Sequence, residues 1–170
     1  MRVRTLAVLA FAVALAAGCG GANEPDAGPS TDASAGATTE EAGTAFARGK
    51  VAIETKGGRY TLAVEIAETP AQQELGLMFR ESLPRDAGMV FLFPDERRGG
   101  FWMKNTLIPL SIAFYDRRGT ILAILDMDPC REEPCRIYDP DVAYRGALEV
   151  NQGLFADWGV AVGDRIRLDR

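Results

Sequence analysis

The chain has 170 residues, 47% of them hydrophobic, with 19 basic and 24 acidic side chains and a net charge of −5 at pH 7. It contains no histidine. That absence excludes Ser-His-Asp and Cys-His catalytic sets and any histidine-based zinc or iron site. The acidic balance argues against nucleic acid and an anionic lipid surface as direct partners.

Residues 1–18 have the three parts of a secretory signal peptide: basic Arg2 and Arg4, an apolar stretch and a small-residue end. The apolar stretch, 6–17, is shorter than the ~20 residues that span a bilayer. "LAAGC", ending at Cys19, resembles the bacterial lipobox, in which the cysteine is acylated and becomes the mature N-terminus. We therefore expect an exported protein, lipid-anchored at Cys19 to the extracytoplasmic face of a bacterial membrane. The alternative is an ordinary signal peptide with a chance cysteine.

Residues 20–48 are dominated by Gly, Ala, Ser, Thr and Pro, with several acidic residues and no basic residue before Arg48. Such a segment buries too little apolar surface to offset its ordering entropy, so we expect a disordered tether. As a flexible coil it would span roughly 30 Å between the anchor and the folded part.

Residues 49–170 alternate mainly with period two, which predicts strands. Tyr60, Leu62, Val64 and Ile66 follow the turn "KGG" and indicate a hairpin with one buried face. The turns "DRRG" and "AVGD" carry glycines where positive φ is wanted. The further predicted strands are "GMVFLF", "FWMKNT", "PLSIAFYD", "TILAILDM", "ALEV" and "RIRLD".

Only two segments favour helix. In "TPAQQELGLMFR", Thr69 suits the N-cap, Pro70 suits the first helical position and Gln72 completes a capping box. "GLFADWG" fits a short helical turn. We therefore predict a mainly β, single-domain β-sandwich or partly closed barrel of jelly-roll-like character, with one or two short helices.

Cys130 and Cys135, in "DPCREEPC", are expected to form a disulfide, because an exported protein meets an oxidising compartment. A two-cysteine metal site completed by carboxylates is the alternative. The surrounding loop is acidic and could hold calcium, although its spacing is not that of an EF-hand and arginines neutralise part of its charge. We expect a solvated loop, no metal and no cofactor. The loop's acidic residues are Asp126, Asp128, Glu132, Glu133, Asp139 and Asp141.

Five strings in chain order resemble the bacterial and archaeal family known as domain of unknown function 192: "GLMFR", "GMVFLF", "FWMKNTLIPL", "LEVNQG" and "VGD". The resemblance covers residues 50–168 and implies a compact, mainly β fold that is often exported, without implying an activity. Relatives commonly have an aspartate where this chain has Ser111. Either a catalytic or metal-binding carboxylate is lost here, or the position only satisfies a backbone donor, which serine can also do.

"FWMKNT" carries the main candidate site. As a strand it would place Trp102, Lys104 and Thr106 on one face, and Phe101, Met103 and Asn105 on the other. Trp102 and Lys104 together suit stacking on a ring and pairing with an anion or hydroxyl. The ligand-binding candidates are Arg80, Trp102, Lys104, Asn105, Glu149 and Asn151, of which the last two are expected on the polar side of "LEVN".

Purely structural roles are the alternative for these residues. Trp102 could belong to the core, Lys104 could be solvated, Asn105 could be a turn residue, and Arg80 could pair with Glu149.

Two functions follow. The favoured one is a non-catalytic binding or assembly module for a small polar or saccharide-like cell-envelope ligand. The other is a carboxylate-dependent hydrolase, lyase or isomerase, in which Glu149 is the acid or base and Lys104 or Arg80 stabilises an anion. Glu149 within hydrogen-bond reach of either cation in a concave pocket would favour the enzyme.

Overall fold

The computed structural model describes residues 45–170; the predicted signal peptide, Cys19 and most of the predicted tether lie outside the described residues. The first strand begins at Ala47, two residues before the predicted domain start. The carbonyl oxygen of Ala45 accepts a hydrogen bond of 2.7 Å from Gln72 Nε2, and Phe46 packs against a hydrophobic cluster. The folded part therefore includes the last four residues assigned to the tether.

Within residues 45–170 the structure has nine strands and two short helices. In chain order they are β1 (Ala47–Thr55), β2 (Gly58–Ala67), α1 (Pro70–Leu75), β3 (Ala87–Arg97), β4 (Phe101–Trp102), β5 (Leu110–Tyr115), β6 (Ile121–Met127), β7 (Ile137–Tyr138), β8 (Tyr144–Asn151), α2 (Leu154–Asp157) and β9 (Arg165–Asp169).

Seven strands form one sheet in the order β6-β5-β8-β3-β2-β1-β9, and β4 pairs with β7 in a separate ribbon. Neighbours in the large sheet are antiparallel except β2 and β3. The sheet curls into a half-barrel, and a bridge between Thr120 and Arg165 joins its two edges near β6 and β9. The predicted mainly β, partly closed barrel with two short helices is confirmed.

The curl gives the sheet two hydrophobic faces. The inner cluster contains residues of both edge strands, such as Ile121 and Ile166, and α2 adds Leu154 and Phe155 to it. The outer cluster lies mainly on β3, β5 and β8, where segments around α1 and β4 cover it. Its largest side chains are Phe91, Phe93, Met103, Phe114, Tyr138 and Tyr144.

Local sequence features account for the turns and for α1. The predicted hairpin is confirmed, since β1 and β2 pair from Ala47↔Ile66 to Thr55↔Gly58. Gly119 and Gly163 have φ values of 83° and 95°, as their turns require. The capping box of α1 is also confirmed: Gln72 N–H donates to Thr69 Oγ1 at 3.3 Å, and Thr69 N–H donates to Gln72 Oε1 at 3.0 Å.

Two predicted elements are shorter than expected. Helix α1 ends at Leu75 before Gly76, so Arg80 lies beyond the helix rather than at its end. "FWMKNT" is a strand only at Phe101–Trp102, because its partner β7 offers two residues for pairing. Asn105 has a left-handed φ of 55°, and Thr106 is buried instead of sharing a face with Trp102.

The predicted disulfide is confirmed: Cys130 and Cys135 are bonded, with their Cα atoms 5.5 Å apart. Within the described residues no three His, Cys, Asp or Glu side chains lie close enough to hold a metal ion together. None of the helices in residues 45–170 is both long and apolar enough to cross a bilayer.

Candidate functional site

A groove of about 360 Å³ runs between α1 and the turn after β4. We call it the tryptophan groove, because the exposed face of Trp102 forms one wall. Its other side carries side chains of α1 and of the segment that follows it. The lining residues are Ala71, Glu74, Leu75, Met78, Trp102, Lys104 and Asn105.

Trp102 and Lys104 share the polar side of this groove, as predicted from their spacing. Trp102 is 43% exposed although it lies in a strand, because β4 belongs to the small ribbon rather than to the large sheet. Lys104 Nζ lies 5.5 Å from the centroid of the Trp102 ring, within cation–π range. The same ammonium is 3.3 Å from Glu133 Oε1 of the disulfide loop. The Trp102 ring and Glu133 therefore orient the Lys104 ammonium, yet the side chain remains 43% exposed and accessible to a ligand.

Two unusual backbone conformations hold the groove's two sides together. Phe79 and Asn105 are non-glycine residues with φ values of 63° and 55°. The Phe79 N–H donates a hydrogen bond of 2.8 Å to the Asn105 carbonyl oxygen, which joins the segment after α1 to the turn after β4. A left-handed conformation costs a bulky residue about 1–3 kcal/mol, and residues strained in this way cluster at functional sites. Phe79 is also 65% exposed, so burial does not explain its conformation.

A narrow crevice of about 30 Å³ lies deeper and shares several walls with the groove. Leu75, Met78 and Trp102 line both spaces, and Glu149 lies in the crevice. In residues 45–170 no fully buried side-chain nitrogen or oxygen lacks a hydrogen-bond partner. Among these residues the Glu149 carboxyl has neither a hydrogen-bond nor an ion-pair partner, so its oxygens open to the crevice.

Glu149 was expected on the polar side of "LEVN", and this expectation is wrong: the residue is only 5% exposed. Its neighbours across the sheet are Met89 on β3 and Ile112 on β5, both apolar. Burial penalises the charged carboxylate and raises the pKa of Glu149 to about 8. At neutral pH the group is mainly a neutral acid that can donate a hydrogen bond or a proton.

The structure does not bring Arg80 and Asn151 into the tryptophan groove. Arg80 forms an ion pair with Glu65 of β2, and its guanidinium carbon lies 6.0 Å from the Phe46 ring. The alternative pairing of Arg80 with Glu149 is therefore wrong as well. Asn151 Nδ2 donates to the Leu83 and Pro84 carbonyl oxygens at 3.0 and 3.1 Å, which fixes the loop before β3.

Ser111 lies on the inner face of β5, where its hydroxyl binds a backbone N–H group. Its Oγ accepts a hydrogen bond of 2.9 Å from the Gly153 N–H and is itself hydrogen-bonded to Asp126. Gly153 is the N-cap residue of α2. This arrangement fits the interpretation that position 111 satisfies a backbone donor.

Sequence reasoning missed the α1 side of the groove. Ala71, Glu74, Leu75 and Met78 recur at spacings of three and four, so they share one side of a helix and its continuation. That pattern was readable in "TPAQQELGLM". It gave no reason, however, to pair this side with Trp102, since the two segments are 24 or more residues apart.

The described residues form a partly closed β-barrel domain with a lateral groove beside the exposed Trp102. The chain belongs to the family domain of unknown function 192, described as "Uncharacterized ACR", whose sequence profile matches residues 51–168. Strings that carried the family resemblance meet at the site: "GLMFR" and "FWMKNT" line the groove, and Glu149 of "LEVNQG" lies in the crevice.

Two solved structures are similar to this chain in both fold and sequence. A Sinorhizobium meliloti protein described as "a putative transcription regulator" is 36% identical, covering 73% of this chain and 95% of its own, with a TM-score of 0.68. A Novosphingobium aromaticivorans protein of unknown function is 31% identical, covering 74% and 96% of the two chains, with a TM-score of 0.65. Comparison with curated proteins gave no match.

Proposed function

We propose that this protein is a membrane-anchored, extracytoplasmic module that binds a small polar, saccharide-like ligand of the cell envelope in the tryptophan groove. The observation that carries the proposal is the exposed indole of Trp102 beside Lys104, Asn105 and Glu74. An aromatic face takes the apolar side of a sugar ring, while the polar side chains bind its hydroxyls. The groove volume of about 360 Å³ lies in the range of small-ligand sites.

The test is calorimetric titration of the full chain with a panel of envelope saccharides, including peptidoglycan fragments. Trp102→Ala is expected to weaken binding at least about fivefold, since losing contact with an aromatic face costs on the order of 1 kcal/mol. Lys104→Ala is expected to weaken it less and to leave the melting temperature nearly unchanged, because its pair with Glu133 is exposed.

Matched controls are Leu107→Ala, which removes another exposed apolar side chain, and Lys56→Ala, which removes an exposed lysine; neither residue lines the groove. A panel with no binding saccharide, or equal binding by Trp102→Ala and Leu107→Ala, would reject the saccharide proposal. Unfolding of Lys104→Ala would make Lys104 a structural residue instead.

The anchor is a separate part of the proposal and rests on the sequence around Cys19, which lies outside the described residues. Mass spectrometry of the membrane fraction is expected to find an acylated Cys19 at the mature N-terminus. Cys19→Ser is expected to release the protein from the membrane. Recovery of the unmodified wild-type chain from the medium would contradict the anchor without affecting the groove.

A carboxylate-dependent enzyme is the second candidate, and one observation favours it. Glu149 is a buried acid with a raised pKa in a crevice that continues the ligand groove, as expected of a general acid. Against it, Arg80 pairs with Glu65 and Lys104 with Glu133, so neither predicted cation contacts Glu149. Turnover of a bound saccharide that Glu149→Gln abolishes while binding persists would support the enzyme.

The transcriptional role stated for the Sinorhizobium meliloti protein is not carried over to this chain. A net charge of −5 disfavours contact with a phosphate backbone. An exported, membrane-anchored protein would also be separated from the chromosome.

A further inference from the structure

A second and larger groove, of about 830 Å³, lies along β1, β9 and the turn between β5 and β6. We call it the basic groove, because seven basic side chains line it against two carboxylates, those of Asp116 and Asp169. The basic residues come from five separate segments of the chain. They are Lys50, Arg59, Arg117, Arg118, Arg145, Arg167 and Arg170.

Ion pairs neutralise only part of this charge. Arg145 lies 3.8 Å from Asp95, Arg167 lies 3.0 Å from Glu54, and Arg170 lies 2.7 Å from Glu68. The remaining four, which are Lys50, Arg59, Arg117 and Arg118, have no ion-pair partner among residues 45–170.

The lining carboxylate of Asp116 is already engaged by the backbone. It accepts hydrogen bonds of 2.8 Å from the Arg118 and Thr120 N–H groups, within the turn between β5 and β6. The net charge of −5 therefore conceals a local excess of positive charge in this groove.

The floor of the basic groove is apolar apart from one hydroxyl. Leu92, Ile166 and Leu168 contribute apolar surface, and Tyr115 lies among them with 7% of its surface exposed. The Tyr115 ring lies where a side chain at position 146 would be, so Gly146 leaves room for it.

The Tyr115 hydroxyl is free to meet a ligand. It has no hydrogen-bond partner among residues 45–170, where every fully buried side-chain nitrogen or oxygen has one, so it opens to the groove. Burial raises the pKa of Tyr115, so the hydroxyl stays protonated and can donate a hydrogen bond.

We propose that the basic groove binds a phosphate ester, with Arg59, Arg117 and Arg118 on the phosphate and the carbon part of the ligand over the apolar floor. Guanidinium groups pair bidentately with carboxylates and phosphates alike, but a phosphate ester has three free oxygens and a charge of about −1.5 to −2, so it can engage several arginines at once. The volume suits a small molecule or one lipid headgroup rather than a polymer. A basic face that only kept the protein soluble would need neither a concave shape nor an apolar floor.

The test is titration of the full chain with phenyl phosphate, whose ring matches the apolar floor, and with inorganic phosphate. Phenyl phosphate is expected to bind more tightly, and added salt is expected to weaken both interactions. The double variant Arg59→Gln/Arg118→Gln is expected to lose at least about tenfold in affinity, since hydrogen bonds to charged groups contribute about 1.5–3 kcal/mol each. Tyr115→Phe is expected to lose about two- to fivefold, because a neutral hydrogen bond contributes less.

The matched control is Arg98→Gln/Arg131→Gln, which removes the same charge from exposed arginines outside this groove. Equal weakening by both double variants would overturn the proposal, because non-specific attraction would then explain the binding. Binding of a 20-nucleotide DNA without binding of phenyl phosphate would also overturn it.

A binding experiment with lipid vesicles distinguishes a phosphate ester in a lipid headgroup from one in a soluble molecule. Sedimentation with vesicles containing phosphatidylglycerol, lost in Arg59→Gln/Arg118→Gln and absent with pure phosphatidylcholine, would assign a lipid headgroup. Binding of phenyl phosphate without vesicle binding would assign a soluble phosphorylated molecule. If neither phenyl phosphate nor the vesicles bind, the phosphate site is rejected, while the proposal for the tryptophan groove is unaffected.

Discussion

Glu149 points to the candidate site because burying its carboxyl group is energetically unfavourable. A carboxyl group between Met89 and Ile112 loses its hydration, and no described side chain compensates for the loss. Burying a carboxyl group without a hydrogen-bond partner costs free energy, so its presence needs a reason other than packing. Its opening toward the crevice beside the tryptophan groove supplies that reason.

The raised pKa of Glu149 makes a prediction about stability and pH. The group's pKa is 4.5 without burial and about 8 in the folded protein, so between these values the unfolded chain binds fewer protons. Stability contributed by this residue is therefore complete below pH 4.5 and falls as the pH rises toward 8, by up to about 1.4 kcal/mol per pH unit. Glu149→Gln, which stays neutral, is expected to lack this loss in urea denaturation from pH 5 to 8.

The control for that experiment is Glu96→Gln, at an exposed position of β3, which is expected to follow the wild-type pH profile. Parallel profiles for wild type and Glu149→Gln would contradict the assignment of a neutral, buried acid.

Residue spacing predicted part of the tryptophan groove. The spacing in "FWMKNT" predicted that Trp102 and Lys104 share a surface, and they do. The strand alternation behind that prediction was wrong beyond Trp102, because Asn105, expected on the opposite face, lines the same groove. The burial of Glu149 could not be read in this way, because alternation in "LEVN" shows only that it faces away from Leu148 and Val150. Whether that outer face meets water depends on α1 and the turn after β4, which are distant in sequence.

Among the elements, the loop closed by Cys130–Cys135 connects the disulfide to the site. Its Glu133 lies 3.3 Å from Lys104, so the disulfide loop contacts one wall of the groove. Elements fixed by local chemistry were predictable: the capping box of α1 and the hairpin of β1 and β2 follow from adjacent residues. The length of β4 was not, because it depends on β7, which follows some 35 residues later in the chain.

Removing the disulfide is expected to lower the free energy of unfolding by about 2 kcal/mol, the loop-entropy value for so small a ring. The variant is Cys130→Ser/Cys135→Ser, and urea denaturation measures the change. Wild type treated with dithiothreitol should show the same loss, while the double variant should not respond to the reductant. An unchanged free energy in both cases would mean that the bridge does not constrain the unfolded chain.

At the scale of the whole molecule, the curl of the sheet separates the two proposed sites. The tryptophan groove lies under the cover of the outer face, whereas the basic groove lies beside the seam where the edges near β6 and β9 meet. Two backbone hydrogen bonds of 2.8 Å cross this seam. Ile121 N–H donates to the Asp164 carbonyl oxygen, and Ile166 N–H donates to the Gly119 carbonyl oxygen. The sequence predicted partial closure in general terms, since short strands and few helices favour it, but it did not identify the closing residues.

Gly119 is the residue on which closure of the seam depends most. Its φ of 83° is unfavourable for other residues, and a Cβ atom there would collide with the Ile166 carbonyl oxygen. Gly119→Ala is therefore expected to lower the free energy of unfolding, measured by urea denaturation, by roughly 2–4 kcal/mol, because left-handed strain and overpacking combine.

Gly57→Ala is the control, because no atom lies closer than 3.8 Å to its Cβ position. Hydrogen exchange should accelerate at Ile121 and Ile166 in Gly119→Ala while the β1–β2 hairpin stays protected. Equal stability of the two alanine variants would mean that the sheet does not depend on this seam, and the basic groove would then lack a fixed wall.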